Sequence, residues 1–271
     1  MLAVVNTRAD ALALLEALDD PDALHLSTRM CGAHRRAVLE RVRTRLANGK
    51  PCRLVATQLI EAGVDVDFPL VLRALGPLDR IVQAAGRCNR EGKMASGRVR
   101  IFIPEGLHMP PGPYRTGTEL TAGVIAKRSD LHDPAVYTSY FQELYRHVPL
   151  DENEVQNARK ILDYPVVAER FRMIEDDTQP VVVRYGDADE QKKVQDALAE
   201  LRAGKGRARE HLRTLQPYIV GLRPHELQQA MAAGQVEEVI TGLWEWRGKY
   251  DTERGTGVVL DGLIDPDPYV W

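Results

Sequence analysis

Short apolar runs alternate with helical patterns over the first 105 residues, and this alternation constrains the fold more than any other feature of the chain. The apolar runs predict strands at residues 2–5, 25–27, 53–56, 71–74 and 99–103. The clearest helix between them is Ala33–Ala47, whose apolar side chains form one stripe and which ends at Asn48-Gly49. Strands separated by helices form a parallel sheet with helices on both faces. The sequence therefore predicts an α/β domain over residues 1–112.

The pattern changes after this domain. Residues 113–165 are mostly helical in pattern, with a break at Asp133-Pro134, and predict a helical linker. Residues 166–271 predict a smaller α+β domain. Its expected elements are a hairpin with strands at 171–175 and 181–185, helices at 189–203, 207–215 and 225–233, a strand at 216–222, and short strands in the tail. The chain opens directly on a core strand, which favours a piece of a longer polypeptide over a short natural gene.

Charge and composition limit the class of protein. The chain has 271 residues and a formal net charge of −3, so it is not a basic nucleic-acid coat, and any DNA contact must come from a local patch. Residues 28–53 form such a patch, with eight Lys or Arg and one acid. Phosphate binding and a solvated helix face are equal alternatives for the arginines at 41, 43 and 45. No apolar run reaches the roughly 20 residues that span a bilayer, and no signal peptide is visible, which predicts a cytoplasmic protein without a membrane segment.

Three possible metal or redox sites are weak candidates. The three cysteines, Cys31, Cys52 and Cys88, have no metal-binding or redox spacing and are interpreted as reduced thiols. His132-Asp133 resembles a metal-binding dipeptide, but no second histidine cluster stands near it. Glu175-Asp176-Asp177 falls in the predicted hairpin turn. The sequence therefore predicts no metal site.

Thr57 ends a buried strand where the carboxyl ends of parallel strands meet, and ligands bind at that edge in open α/β sheets. A hydroxyl and free backbone amides there can hold a nucleic-acid phosphate without reading sequence. Gly63 lets the backbone approach a ligand closely, and Asp65 can accept from a ribose hydroxyl or an arginine, or can cap the loop. Asn6 or Thr7, after the first strand, could equally cap the next helix.

Arg87 and Arg90 lie three residues apart, after Gln83 and Gly86. Phosphoryl transfer from ATP needs positive charge on the γ-phosphate as the bond breaks, and arginine stays charged and presents a planar fork of donors. Both arginines are predicted to be catalytic, as a pair of arginine fingers or as one finger and one supporting residue. The alternative is two solvated surface arginines.

The phosphate-binding half of an ATP site is not visible. No Gly-x-x-x-x-Gly-Lys-[Ser/Thr] motif occurs in the sequence, and Gly204-Lys205-Gly206 lies in a charged helical region. The chain alone is therefore predicted not to hydrolyse ATP.

Three segments together carry a family resemblance: Leu26–Arg35, Thr57–Pro69 and Gln83–Gly92. They resemble the signature helicase-nuclease of type I CRISPR systems, a superfamily 2 helicase, most closely the type I-C form. Two short sequences are more specific than generic helicase motifs: Gly-Arg-Cys-Asn-Arg-Glu-Gly at residues 86–92, and the Val-Asp-Phe-Pro extension at residues 66–69. The resemblance is strong over residues 1 to 112 and weaker beyond, where Phe171–Thr178 is similar to that family's C-terminal accessory domain.

The resemblance implies specific roles. The first domain would be the second RecA-like helicase domain, with motifs IV, V and VI. ATP would contact Gly63, Asp65, Gln83 and Gly86. DNA would contact Thr7, Arg8, Thr28, Arg29, Arg35, Thr57 and Gln58.

The resemblance also implies partners and a reaction. ATP and Mg²⁺ would be held mainly by a first RecA-like domain, and an HD nuclease domain would precede it. An RNA-guided surveillance complex would recruit the protein, which would then unwind and help to degrade foreign DNA, moving 3′ to 5′ along a single strand. Two alternatives are a stand-alone, non-catalytic module that docks on the surveillance complex or on DNA, and part of another superfamily 2 helicase.

Overall fold

A computed structural model describes most of the chain: residues 1–61, 63–105, 109, 112–127, 130–131, 133–151, 153–171, 178–252 and 257–260. The chain forms two compact units. The first comprises Met1–Ala74, Arg80–Met109 and Thr178–Trp271, and the second comprises Leu75–Asp79 and Pro110–Asp177. Within the described part of the chain, no helix is both long and apolar enough to cross a membrane.

A five-stranded parallel sheet organises the first part of the chain. Its strands are β1 Leu2–Val4, β2 Leu24–Leu26, β3 Leu54–Ala56, β4 Leu70–Ala74 and β5 Arg98–Phe102. The strand order is β2-β3-β1-β4-β5, and every neighbouring pair is parallel. The predicted α/β fold with a parallel sheet is confirmed.

Helices cover both faces of this sheet. They are α1 Arg8–Leu18, α2 Gly32–Ala47 and α3 Leu78–Ala85. Successive strand residues point to opposite faces, so Leu54 packs in a core with Val38 and Val42 of α2, whereas Val55 packs in a separate core with Ala11 of α1. The apolar stripe predicted for residues 33–47 is therefore the face of α2 that the sheet buries.

A second, mixed sheet of four strands lies in the same unit. Its strands are β6 Gln179–Val182, β7 Ile219–Leu222, β8 Val236–Ile240 and β9 Leu243–Trp246, in the order β7-β6-β9-β8. Its helices are α8 Ala188–Arg202, α9 Ala208–Leu215 and α10 Pro224–Ala232. A two-stranded ladder, β10 Tyr250–Asp251 and β11 Gly257–Val258, follows. The predicted α+β character of this part is confirmed.

Three local expectations differ from the structure or lie outside it. The strand predicted at residues 181–185 is instead Gln179–Val182. Residues 216–222 do not form one strand: Gln216–Tyr218 is a 3₁₀ helix, in which Pro217 has no amide to donate to a ladder, and only Ile219–Leu222 is β-structure. The first strand of the predicted 171–175 hairpin and its turn at 175–177 fall on residues 172–177, which lie outside the described residues.

The second unit is helical over its described residues. Its helices are α4 Pro113–Ala126, α5 Pro134–His147, α6 Val155–Lys160 and α7 Tyr164–Arg170. The break predicted at Asp133-Pro134 is the start of α5, where the Asp133 side chain accepts from the Ala135 amide at 2.9 Å. His132 lies outside the described residues. Tyr140 fixes α5 within the unit, since its hydroxyl accepts from the Leu78 amide at 3.2 Å and donates to the Gly117 carbonyl at 3.3 Å.

Candidate functional site

The carboxyl edge of the parallel sheet collects the loops that carry the predicted site residues. Because β1, β3 and β4 are parallel neighbours, the segments that follow them leave the sheet at one edge. The segment after β3 begins with Thr57 and a 3₁₀ turn, Gln58–Ile60. Nε2 of the Gln58 side chain donates to the Asn6 main-chain carbonyl at 2.7 Å, which joins this segment to the one after β1.

The two most diagnostic motifs are paired through their backbones. The Phe68 amide donates to the Arg87 carbonyl at 2.9 Å, and the Asn89 amide donates to the Phe68 carbonyl at 3.0 Å. Phe68 and Cys88 form an isolated parallel bridge. Phe68 of the Val-Asp-Phe-Pro extension therefore fixes the position of the backbone between Arg87 and Asn89.

Arg87 is directed at the Thr57–Asp65 segment. Its Nε donates to the Ile60 carbonyl at 3.1 Å and its Nη2 donates to the Glu61 carbonyl at 2.7 Å. Among the described residues, its Nη1 has no hydrogen-bond partner. Burial, and then the positive charge of Arg90, hold the pKa of Arg87 below its usual value. A guanidinium starts far above neutrality, so Arg87 stays charged at pH 7.

Arg90 lies in an exposed turn beside the same segment. Its Nε is 3.2 Å from Oδ1 of Asp65, and both side chains are more than 40% exposed. The Asp67 carboxylate caps the turn, because it accepts from the amides of Arg90 at 2.8 Å and Glu91 at 3.3 Å. Asn89 adopts the left-handed conformation, with φ of 48°, and its side chain exchanges two hydrogen bonds with the Met94 backbone. Both arginines thus contact the segment after β3, Arg87 at Ile60 and Glu61 and Arg90 at Asp65.

The other predicted ATP contacts are accessible. Gln83, near the end of α3, and Gly86, just after it, are both exposed. Gly63 has a φ of 68°, a conformation that L side chains rarely adopt, and a Cβ added there would meet no atom of the described residues within 4 Å. The backbone conformation therefore favours glycine at this position, and the contact of Gly63 with ATP stays a prediction.

A buried arginine that the sequence interpretation missed lies beneath this edge. Arg73, near the end of β4, has no exposed surface. Its Nη1 donates to Oδ1 of Asn6 at 2.6 Å and to the Ala74 carbonyl at 2.8 Å, and its Nη2 is 3.0 Å from Oε1 of Glu61. Oε2 of Glu61 is 3.8 Å from Arg80 of α3. The charged residue inside the apolar run Leu70–Ala74 was the available signal, since a buried charge needs a partner.

The residues predicted to contact DNA are mostly buried. Thr7 is the N-cap of α1, where its Oγ1 accepts from the Asp10 amide at 3.0 Å, so the capping alternative is correct for Thr7, while Asn6 turns to Arg73. Thr57 is fully buried, and its Oγ1 has no hydrogen-bond partner within the described residues. Thr28 and Arg35 are half-buried, Arg35 in the first turn of α2.

Arg8 and Arg29 both contact Glu226, a residue of α10 that the sequence interpretation did not select. Arg8 Nη2 is 2.6 Å and Arg29 Nη2 is 3.5 Å from Oε1 of Glu226. Glu226 is fully buried, and its Oε2 accepts from the Arg223 amide at 2.9 Å. Burial would raise the pKa of Glu226, but Arg8, the Arg223 amide and Arg29 outweigh it and hold that pKa below its usual value. The carboxylate is therefore ionised at pH 7 and pairs with both arginines.

The described residues contain no group of three or more His, Cys, Asp or Glu side chains arranged to hold a metal ion.

Comparisons with known proteins agree with the motifs. Residues 1–93 match a family model described as CRISPR-associated nuclease/helicase Cas3, C-terminal. The chain is 48% identical over 78 residues to a CRISPR-associated nuclease/helicase Cas3 of Haloferax volcanii, and 33% identical over 106 residues to one of Methanothermobacter thermautotrophicus. Over these segments the chain is similar to the C-terminal part of Cas3 proteins. The family predicted from the motifs is thereby confirmed, and the type I-C form stays a prediction.

The similarity covers a small part of each Cas3 relative. The matched segments are 29% and 38% of this chain, and only 8% and 13% of the Haloferax and Methanothermobacter proteins. The Haloferax and Methanothermobacter Cas3 proteins are named as nuclease/helicases.

Solved Cas3 structures share the fold over nearly the whole chain. A T. fusca Cas3 structure with ADP aligns with a TM-score of 0.56 at 16% identity, over 90% of this chain and 35% of that one. A chain of a CRISPR RNA-guided surveillance complex in a pre-nicking state aligns with a TM-score of 0.54 at 16% identity, over 93% of this chain and 38% of that one. Other T. fusca Cas3 structures contain AMPPNP and ATP.

Proposed function

We propose that the chain is the second RecA-like domain, with the parts that follow it, of an ATP-dependent helicase of type I CRISPR interference. The whole protein would move 3′ to 5′ along single-stranded DNA, unwind foreign DNA and help to degrade it. One observation carries the proposal: at the carboxyl edge of a parallel sheet, Arg87 contacts the Ile60 and Glu61 carbonyls and Arg90 contacts Asp65, on either side of Gly63 in the chain. That is the arrangement that a trans-acting face of an ATP site needs.

The chemistry of this face rests on positive charge. As the bond to the γ-phosphate breaks, charge spreads over its oxygens, and a positioned guanidinium stabilises that charge. Arg87 has two nitrogens committed to backbone carbonyls, so its direction is fixed, while Nη1 faces no partner among the described residues. Arg90 is exposed and only loosely held by Asp65. Gln83 and Gly86 would add contacts to ATP, and a first RecA-like domain would hold the phosphates and Mg²⁺.

The residues proposed to contact DNA follow strands of the same sheet. Thr7, Thr28, Arg35, Thr57 and Gln58 would contact the backbone of one strand, which gives sequence-neutral and salt-dependent binding. The fully buried Thr57 hydroxyl, without a partner in the described structure, is consistent with a contact that forms only on binding.

Arg8 and Arg29 would join them after leaving Glu226. DNA would therefore compete with a carboxylate of α10 for these two arginines.

The proposed partners follow from the family. They are a first RecA-like domain, an HD nuclease domain, single-stranded DNA and the RNA-guided surveillance complex.

ATP turnover by arginine variants of the intact protein tests the proposal. Arg87→Ala and Arg90→Ala should each remove most of the turnover, since a transition-state arginine contributes on the order of a thousandfold in related reactions. Arg100→Ala, at an exposed arginine of β5, is the matched control and should keep normal turnover. ATP binding should change little in all three. Near-normal turnover in Arg87→Ala and Arg90→Ala would refute the finger assignment.

A further inference from the structure

Arg73 is an unusual residue for the core of a sheet domain. Its side chain has no exposed surface, and its contacts with Asn6, Ala74 and Glu61 are 2.6 to 3.0 Å long. Taking a guanidinium and a carboxylate out of water is costly, and well-packed apolar residues of similar volume often stabilise a core equally well. A buried Arg73–Glu61 pair is therefore weak support for stability and suggests a positional role.

Glu61 connects this pair to the candidate finger. Its carboxylate is held by Arg73 at 3.0 Å and approached by Arg80 at 3.8 Å. Its main-chain carbonyl accepts from Nη2 of Arg87 at 2.7 Å, and the preceding carbonyl, of Ile60, accepts from Nε of Arg87. The Glu61 side chain is thus anchored to Arg73 of β4, while the Glu61 main-chain carbonyl orients Arg87.

Arg73 also contacts Asn6, which precedes residues proposed to contact DNA. Asn6, which accepts from Arg73, also accepts from the Gln58 side chain through its own carbonyl at 2.7 Å. Asn6 immediately precedes Thr7, and Gln58 immediately follows Thr57. Arg73 therefore joins the segment proposed to contact DNA to the segment that orients Arg87.

We infer that Arg73 and Glu61 are positioning residues, which hold the Ile60 and Glu61 carbonyls where they orient the Arg87 guanidinium for ATP hydrolysis. This inference rests on the proposed function, because it requires Arg87 to act on ATP. A misplacement of about 1 Å in a positioned group can lower a rate on the order of a hundredfold. Losing this anchor should therefore reduce kcat while it leaves the KM for ATP nearly unchanged.

A double-mutant cycle in the intact ATPase tests the inference. Glu61→Gln keeps the side-chain shape and the main-chain carbonyl but removes the charge that binds Arg73. Alone, it should lower kcat on the order of ten- to a hundredfold. In an Arg87→Ala background it should lower kcat no further, because the group it orients is already missing. Glu210→Gln, at an exposed carboxylate beside Arg207, is the control and should leave kcat unchanged.

The outcomes separate the inference from the proposed function. If Glu61→Gln and Arg87→Ala each lower kcat and their effects multiply, Glu61 does not act through Arg87 and the inference is wrong, while the finger assignment stands. If Arg87→Ala alone leaves kcat unchanged, both are wrong. Should thermal unfolding show that Glu61→Gln does not fold, Arg73→Lys replaces it in the cycle, because lysine keeps a cation for Glu61 but lacks the planar fork of donors that reaches Asn6, Ala74 and Glu61 together. The same non-additivity is then required.

Discussion

Replacing Glu226 by glutamine should raise the affinity of the intact protein for single-stranded DNA. The carboxylate is fully buried, and its Oε1 lies 2.6 Å from Arg8 and 3.5 Å from Arg29. Both arginines are at most 10% exposed at their side chains, so a DNA phosphate can reach them only after Glu226 yields. Glutamine keeps the shape and one acceptor oxygen but not the charge.

The size of the effect follows from the strength of a charged hydrogen bond. Hydrogen bonds to charged groups contribute about 1.5–3 kcal/mol, and roughly 1.4 kcal/mol corresponds to tenfold in affinity. The Arg8 contact is short, whereas the Arg29 contact, at 3.5 Å, is at the upper limit of a hydrogen-bond distance. We therefore base the expected change in affinity on one charged hydrogen bond. Glu226→Gln should therefore tighten DNA binding on the order of tenfold to a hundredfold. It should also lower the free energy of unfolding at pH 7 by about 3–5 kcal/mol, since it breaks a buried ion pair.

Fluorescence anisotropy with a labelled single strand, at two salt concentrations, measures the affinity. Glu237→Gln makes the same charge change at an exposed carboxylate and is the control. Equal or weaker binding by Glu226→Gln, relative to that control, would show that Glu226 does not compete with phosphate for Arg8 and Arg29.

The same variant has a pH signature. The folded-state pKa of Glu226 is below its ordinary value of 4.5, so its stabilisation is fully present above pH 4.5 and is lost as pH falls through the lower folded value. The difference in unfolding free energy between wild type and Glu226→Gln should therefore shrink as the pH falls below 4.5. A difference that stays constant over that range would contradict the ion pair.

Two further predictions concern the turn that carries Arg90. Gly97→Ala should lower the melting temperature and the ATP turnover of the intact protein, because an added Cβ would lie 2.8 Å from Cys88 Sγ and 2.9 Å from Asn89 Cβ; calorimetry showing wild-type stability would mean that the turn adapts freely. Asp67→Ala should cost about 1 kcal/mol of unfolding free energy by chemical denaturation, as for the loss of a helix cap, because two backbone amides lose their acceptor; an unchanged denaturation midpoint would rule out this role.

The sequence predicts those parts of the fold in which apolar residues recur with the period of a strand or a helix. The strands and helices of the first 105 residues were placed to within one or two residues at most boundaries, because Leu54 and Val55 alternate between faces and α2 carries one apolar stripe. The 3₁₀ turn at Gln216–Tyr218 was missed, since a short apolar run with one proline has no decisive period.

The site was predictable as far as the motifs reach. Arg87, Arg90 and Asp65 lie together, as their spacing and the family resemblance indicated. The contact between Arg8 and Glu226 joins residues 218 apart in sequence, and no local pattern encodes it. Glu226 is the N3 residue of the capping box that begins helix α10. A glutamate at this position is expected from the helix start alone, so the sequence gives no sign that it also pairs with Arg8 and Arg29.

ATP hydrolysis by the chain alone, compared with the intact protein, tests the central claim most directly. With single-stranded DNA and Mg²⁺ present, the chain alone should show no turnover, because it would supply arginines to an ATP site whose phosphate-binding half lies on another domain. Joined to that domain it should turn over ATP, and Arg87→Ala should remove that activity. Robust hydrolysis by the chain alone, abolished by Arg87→Ala, would mean that a complete nucleotide site lies within these 271 residues and would contradict the account.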